Sequence, residues 1–116
     1  MSEPAMPMTR DSLHDLAADV RGFIRARDWE KYHTPKNLAM ALAGEAGELL
    51  ACLQWLTPDE SGQVMRNPGQ AGDIESELTD ILWYLIRLAD VLGIDLATAV
   101  RNKMQVNENR FPPSGT

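Results

Sequence analysis

Two pairs of acidic residues stand out because each lies within a strongly apolar stretch of the chain. Glu45 and Glu48 belong to the segment NLAMALAGEAGELLACLQW, and Glu77 and Asp80 belong to the segment ESELTDILWYL. On a helix, residues three positions apart lie on one face, with Cβ atoms roughly 5–6 Å apart. The two carboxylates of each pair can therefore bind the same ligand from a helix face that is otherwise apolar.

Carboxylates in such surroundings need a source of positive charge. Like charges at this spacing repel, and burial raises their pKa values unless a cation neutralises them. Neither helix carries Lys or Arg on its acid face, although Arg87 lies near the edge of the second. If the two helices pack together, four carboxylates converge, and oxygen-only clusters suit Mg²⁺ or Mn²⁺. The pattern favours a divalent-metal site, with a salt-bridged structural cluster or an ordinary solvated pair as the alternatives.

The histidines argue against a different metal centre. Di-iron helical bundles carry an E-x-x-H motif on two of their helices. The two histidines of this chain are His14 and His33, and only His33 follows a glutamate by three positions, Glu30, in a segment between the predicted helices. A di-iron bundle is therefore not expected.

Length and composition indicate a single all-α domain. The 116 residues suffice for one modest core, and the chain is 44% hydrophobic but only 6% aromatic, with Ala and Leu recurring where a β-protein would have Val, Ile and Thr. A net charge of −6 argues against a polymeric nucleic acid as partner. The single cysteine, Cys52, is expected to be a buried free thiol in a reducing cytoplasm. No targeting peptide or membrane-spanning segment is expected from this sequence.

Apolar spacing and capping residues predict four helices. Thr34 followed by Pro35 is typical of a helix start, Gly93 of a helix end, and Asp95 of a further N-cap, while Thr9 or Ser12 caps the first helix. The segment 57–72 reads as a loop with a short helical turn, and residues 1–8 and 111–116 as loosely held ends. The predicted helices cover residues 10–27, 34–56, 73–92 and 96–109.

Three longer segments carry a family resemblance. RDWEKYHTPKNLAMALAGEAGELLACLQW, ESELTDILWYL and KMQVNENRFP together resemble the MazG-like nucleoside triphosphate pyrophosphohydrolases, and among them the dCTP pyrophosphatase branch. The resemblance spans residues 13–112 and implies a single four-helix MazG-like bundle. It implies that Mg²⁺ is bound by Glu45, Glu48, Glu77 and Asp80. It also implies cleavage between the α- and β-phosphates. Chemically, one of the carboxylates, for example Glu48, is suited to orient or deprotonate the attacking water, and which of them does so stays open.

The same resemblance implies a set of nucleotide contacts. Aromatic faces can stack on a pyrimidine, and Tyr, His and Asn side chains can read its polar edge. Trp83 lies on another face and is expected to pack in the core. A histidine of some relatives is replaced by Val20, so the choice between cytosine and uracil stays open. An arginine cluster of the family is reduced to ENR, so no phosphate role is expected for it beyond Arg110. The implied base contacts are Trp29, His33, Asn37, Trp55 and Tyr84, and the implied phosphate or sugar contacts are Lys103 and Asn107.

The second and third helices carry apolar residues on nearly every side, which predicts burial between subunits. The resemblance implies a homotetramer with its active site between subunits. The leading hypothesis is a Mg²⁺-dependent pyrophosphatase that sanitises the nucleotide pool by acting on dCTP or modified dCTP. The alternatives are a dUTP or broad-specificity pyrophosphatase, and a non-catalytic helical oligomer that binds nucleotide or a protein partner.

Overall fold

The computed structural model describes residues 12–114, and helices dominate them. Short 3₁₀ turns at Glu30–Tyr32 and Val64–Arg66 accompany the α-helices, and no strand occurs in this range. The predicted all-α class is confirmed. The α-helices are α1 (Leu13–Ala26), α2 (Pro35–Leu53), the single-turn α3 (Pro58–Ser61), α4 (Pro68–Leu92) and α5 (Leu96–Arg110).

Each helix begins at a side-chain cap. In every case a side-chain oxygen accepts a hydrogen bond from the backbone N–H three residues later, which satisfies a donor that the helix itself cannot pair. The predicted caps Thr34 and Asp95 are confirmed, and of the two candidates for the first helix the structure has Ser12. α1 therefore begins at Leu13 and not at Arg10. The capping residues are Ser12, Thr34, Thr57, Asn67 and Asp95.

Two further predicted boundaries were wrong. α4 begins at Pro68, five residues before the predicted start at Asp73, because Asn67 caps the backbone N–H of Gln70 and Pro68 occupies the first turn. α2 ends at Leu53, short of the predicted residue 56. The predicted loop contains α3 and a 3₁₀ turn. The predicted loose ends at residues 1–8 and 115–116 lie outside the described residues.

The core forms where α2 and α1 pack against α4. Its buried apolar side chains are few, and α5 adds none to them. A large apolar surface on α2, α4 and α5 is therefore left outside the core of a single chain. No helix within residues 12–114 combines the length and apolarity needed to cross a membrane. The core residues are Val20, Ile24, Leu38, Val64, Ile74, Ile86 and Ala89.

The end of α4 depends on a glycine. Gly93 has φ 72° and ψ 27°, the left-handed conformation in which a Cβ is strained. Gly93→Ala is expected to lower the free energy of unfolding by about 1–2 kcal/mol. Gly22→Ala is the control: it lies inside α1 with nothing within 4 Å of an added Cβ, and should stabilise by about 0.5–1 kcal/mol. Urea denaturation measures both, and equal stability of Gly93→Ala and wild type would contradict the argument.

Candidate active site

Three of the four acids lie together where α2 packs against α4. Glu45 and Glu48 from α2 and Glu77 from α4 each place one carboxylate oxygen within 4.8 Å of the others. We call these three residues the acid trio. Asp80, half-buried one turn after Glu77 on α4, is not part of this close group. The E-x-x-E spacing on α2 thus brings both of its glutamates to one carboxylate of the facing helix.

The acid trio has no counter-charge from the described part of the chain. Glu77 Oε1 is buried and has no hydrogen-bond partner there, and none of the ion pairs found among residues 12–114 involves the trio. The neighbouring carboxyl group of Glu45, burial and the neighbouring Glu48 raise the pKa of Glu77 to about 7. A divalent cation with oxygen ligands would remove this repulsion and give the buried oxygen a partner. The residues present therefore fit a hard metal ion better than a salt-bridged structural cluster.

An open cavity of about 480 Å³ lies beside the trio. On the α2 side Gly44 and Gly47 form part of its wall, so the backbone is left uncovered there, and Glu48 and Glu77 reach it from facing helices. Sequence reasoning assigned no role to one further lining residue, Asp73, although its position four residues before Glu77 put it on the same helix face. The cavity gives a ligand access to the carboxylates.

Cys52 also lines this cavity and is half-buried, not fully buried as expected. Burial raises the pKa of its thiol, and the neighbouring carboxylates Asp73, Glu77 and Glu48 raise it further. Because a thiolate, and not a thiol, is the metal ligand and nucleophile, the residue is unsuited to either task in these surroundings. The donors available to a metal here are therefore carboxylate oxygens.

Aromatic rings form a connected cluster beyond the trio. Trp83 meets the rings of Phe23, His33 and Tyr84 edge-on, with centroids 6.4, 6.0 and 5.2 Å away, and Phe23 meets Trp29 at 5.9 Å. Three of the implied base contacts, Trp29, His33 and Tyr84, thus belong to one aromatic cluster. Trp83, which was expected to pack in the core, is half-buried at the centre of this cluster.

The acid trio and the aromatic cluster share a helix. Tyr84 follows Glu77 by seven residues, which is two turns and roughly 10 Å along the axis of α4, on nearly the same face. Asp80 lies between them. The site thus has a carboxylate end and an aromatic end on one surface. This arrangement suits a ligand with a metal-binding group at one end and a flat ring at the other.

Within residues 12–114 the remaining implied contacts make no hydrogen bond or ring contact with the acid trio or the aromatic cluster. Trp55 follows α2 with 87% of its surface exposed and makes no ring contact with the aromatic cluster. Asn37 donates from Nδ2 to the carbonyl of Tyr32, which ties down the turn before α2. On α5, Lys103 is exposed and Asn107 is half-buried. Neither α5 side chain forms a hydrogen bond or ion pair within residues 12–114.

Beside the aromatic cluster runs a charged network that sequence reasoning missed. Arg87 is buried, and it donates from Nη1 to Asp90 at 3.2 Å and from Nε to His33 Nδ1 at 3.0 Å. Arg21 of α1 donates to both oxygens of Asp90, at 3.0 and 2.6 Å. The network therefore ties α1 and α4 to the segment that precedes α2.

Comparison with known proteins places this geometry in a family. The model of the MazG-like family matches residues 41–114, which include the acid trio and both aromatic residues of α4. The chain belongs to the MazG-like family. Its relatives include dCTP pyrophosphatase 1 of Homo sapiens, 41% identical over 101 residues, and that of Mus musculus, 40% identical. The Gene 37 protein of Mycobacterium phage L5 is 29% identical over 103 residues and 89% of its own length.

A solved structure gives the same fold. A pyrophosphatase from Archaeoglobus fulgidus is 40% identical to this MazG-like chain and superposes with a TM-score of 0.79, over 87% of this chain and 93% of its own. The human relative is matched over 87% of this chain but 59% of its own length. The MazG-like chain thus spans about three fifths of the curated mammalian relatives it matches.

The raised pKa of Glu77 makes the stability of the metal-free MazG-like protein depend on pH. Folding raises this pKa from 4.5 to about 7, so the folded state favours the protonated carboxyl group. The contribution of Glu77 to the free energy of unfolding is therefore full below pH 4.5 and is lost as pH rises through about 7. Without metal, Glu77→Gln is therefore expected to be more stable than wild type above pH 7, with the difference vanishing near pH 4.5. Thermal melts in EDTA measure this. The control is Glu75→Gln, the same substitution at an exposed position of α4. A Glu77→Gln protein that is less stable than wild type in EDTA above pH 7 would contradict the prediction.

Proposed function

We propose that this MazG-like protein is a divalent-metal-dependent nucleoside triphosphate pyrophosphohydrolase. It cleaves dCTP or a modified dCTP to the monophosphate and pyrophosphate, and so sanitises the nucleotide pool of the cytoplasm. The observation that carries the proposal is the acid trio with its buried, unpartnered Glu77 oxygen beside an open cavity. The names of the relatives, dCTP pyrophosphatase 1 and a pyrophosphatase, support the same reaction.

The proposed cofactor is Mg²⁺, with Mn²⁺ as a substitute. Glu45, Glu48 and Glu77 would hold it, and Asp80, one turn further along α4, is proposed as the fourth acidic ligand. Hard cations with oxygen ligands suit a set of carboxylates that contains no histidine or thiolate. When bound, Mg²⁺ supplies positive charge that offsets the charge developing on the phosphate oxygens. The carboxylates fix the place at which the phosphates bind.

The aromatic cluster is the proposed site of the base. Trp29 and Tyr84 offer ring faces or edges, and His33 and Asn37 offer polar groups that can read a pyrimidine. The separation of Tyr84 from Glu77 along α4 lets one nucleotide place its base at the cluster and its phosphates at the trio. Cytosine is the favoured base because the dCTP pyrophosphatases are the relatives with 40–41% identity.

Three of the implied contacts are proposed to act across a subunit boundary. Trp55, Lys103 and Asn107 make no polar or ring contact with the trio or cluster of their own chain, so we propose that they complete the site of a neighbouring copy. Trp55 would then cover a base, and the other two would hold phosphate or sugar oxygens. The exposed tryptophan ring is the observation that favours this arrangement.

The proposed assembly is a homotetramer. Apolar side chains on three helices remain exposed, among them Leu50 on α2, Leu78 on α4 and Met104 on α5. Large exposed apolar side chains in such number are typical of protein interfaces. Sedimentation velocity should give the mass of four chains, and a monomer at micromolar concentration would overturn this part of the proposal.

A nucleotide panel tests the reaction. Purified protein is incubated with Mg²⁺ and each deoxynucleoside triphosphate, including 5-substituted dCTP, and the products are separated by ion exchange. The proposal expects dCMP and pyrophosphate. Comparable turnover of dUTP would favour the broad-specificity alternative. Release of orthophosphate, or no turnover of any nucleotide, would overturn the proposal and favour the non-catalytic oligomer.

A further inference from the structure

The hydrogen bond between Arg87 and His33 fixes where the imidazole proton lies. A guanidinium is always a donor, so His33 Nδ1, at 3.0 Å from Arg87 Nε, must accept. An accepting Nδ1 carries a lone pair, and the single proton of the neutral ring is then on Nε2. The tautomer follows from the identity of the partner and needs no observed hydrogen position.

The surroundings also keep the ring neutral. Burial, and then the positive charge of Arg87, lower the pKa of His33. A second proton would have to bind Nδ1, directly opposite the guanidinium, at the cost of the existing hydrogen bond. The Nε2–H group is therefore the state of this ring around neutral pH.

The ring is held in place from more than one side. Trp83 meets it edge-on, and Arg87 is anchored by Asp90, which Arg21 binds through two hydrogen bonds. His33 Nε2 itself has no hydrogen-bond partner among residues 12–114 and is not a buried atom. Nδ1 of His33 is thus bonded to the protein, and Nε2 is left available for a ligand beside the aromatic cluster.

We propose that Arg87 is a positioning residue for base recognition: it holds His33 as a fixed Nε2–H donor that binds an acceptor atom of the pyrimidine ring. The identity of the ligand rests on the proposed function, whereas the tautomer does not. A histidine free to change tautomer could accept as well as donate. Locked by Arg87, it pairs only with an acceptor such as a ring carbonyl oxygen or an unprotonated ring nitrogen, and it rejects a ring N–H at that position.

The tautomer can be read directly, without any assay of activity. Long-range ¹H–¹⁵N correlation spectra of ¹⁵N-labelled wild-type protein at neutral pH distinguish the two nitrogens of His33. The proposal expects a protonated Nε2 and an unprotonated Nδ1, and in Arg87→Met it expects a mixture of tautomers. A wild-type ring protonated on Nδ1, or on both nitrogens, would overturn the proposal.

Kinetics separate a positioning role from a structural one. Arg87→Met is expected to raise KM for dCTP roughly 3- to 10-fold with little change in kcat, the effect of one hydrogen bond. Arg21→Met is the matched control: it removes the other arginine from Asp90 but leaves the bond to His33, and should change neither the tautomer nor KM. An equal rise in KM in both variants would show a merely structural network and overturn the proposal.

A second pair of variants covers the case in which Arg87→Met does not fold. His33→Leu is expected to raise KM for dCTP by the same roughly 3- to 10-fold, and His33→Gln, which keeps an N–H donor, should recover most of that loss. Where Arg87→Met does fold, adding it to His33→Leu should have no further effect on KM. Equal KM values for the Leu and Gln variants would overturn the proposal. If wild type turns over no nucleotide, the proposed function fails, and the NMR spectra still decide the tautomer.

Discussion

Replacing Glu48 by glutamine is expected to lower kcat/KM for nucleotide hydrolysis by about 10²- to 10³-fold, since a catalytic metal ion contributes several kcal/mol and each 1.36 kcal/mol is a factor of ten. Glutamine keeps the shape of the side chain but provides a neutral oxygen. Glu48 is one of three carboxylates that meet between α2 and α4, and it lines the cavity beside them. Glu77→Gln should have an effect of the same size, because its oxygen is the buried one that has no other partner.

Steady-state kinetics and calorimetric titration with Mn²⁺ check this prediction together. Both variants should bind Mn²⁺ more weakly while remaining folded, because the change removes repulsion in the metal-free protein. Glu75→Gln is the matched control, the same substitution at an exposed position two residues from Glu77. Unchanged Mn²⁺ affinity and full activity in Glu48→Gln would show that the carboxylates do not form the metal site.

The second large effect concerns stability. Asp90→Asn is expected to lower the free energy of unfolding by about 3–5 kcal/mol, because it leaves the guanidinium of Arg87 buried without a counter-charge. The Arg87 side chain is 7% exposed and Asp90 18%, so solvent screens the pair weakly. The control is Asp28→Asn: Asp28 pairs with Lys31 on the surface, with side chains 85% and 61% exposed, and its loss should cost about 1 kcal/mol or less.

The pKa of Asp90 predicts how the free energy of unfolding changes at acidic pH. Hydrogen bonds from Arg21 are the main cause that lowers the pKa of Asp90 below 3.8, and the charges of both arginines add to the effect. Its contribution is therefore complete above the ordinary pKa and is lost as pH falls through the lowered value. Urea denaturation should show the full difference in free energy of unfolding between wild type and Asp90→Asn at neutral pH. That difference should become smaller below pH 4. A difference that persists unchanged in strong acid would contradict the assignment.

Capping chemistry is the part of the fold that the sequence predicted best. Thr34 with Pro35, Gly93 and Asp95 mark helix boundaries through interactions with their immediate neighbours, and the structure has each of them in that role. Asn67 followed by Pro68 carries the same signal as Thr34 followed by Pro35. It was misread because it lies in the segment 57–72, which was read as a loop, whereas Pro68 and Gly69 begin α4.

The site was predictable to the extent that it follows helical spacing. Glu45 and Glu48 share a face because they are three residues apart, and only the packing of α2 on α4 decides which acid of the second pair joins them. The bond from Arg87 to His33 links residues 54 positions apart. No periodicity reports such a contact, and a lone arginine at the edge of an apolar helix gave no sign that it would be buried.

We propose that the acid trio directs the metal-dependent hydrolysis of a nucleotide to the bond between its α- and β-phosphates. The most direct test is the hydrolysis of dCTP by the purified protein and Mg²⁺ in ¹⁸O-labelled water, with the products analysed by mass spectrometry. Attack at the α-phosphorus predicts ¹⁸O in dCMP and unlabelled pyrophosphate. Metal dependence predicts no reaction in EDTA. Label in pyrophosphate or orthophosphate, or turnover that persists in EDTA, would contradict the account.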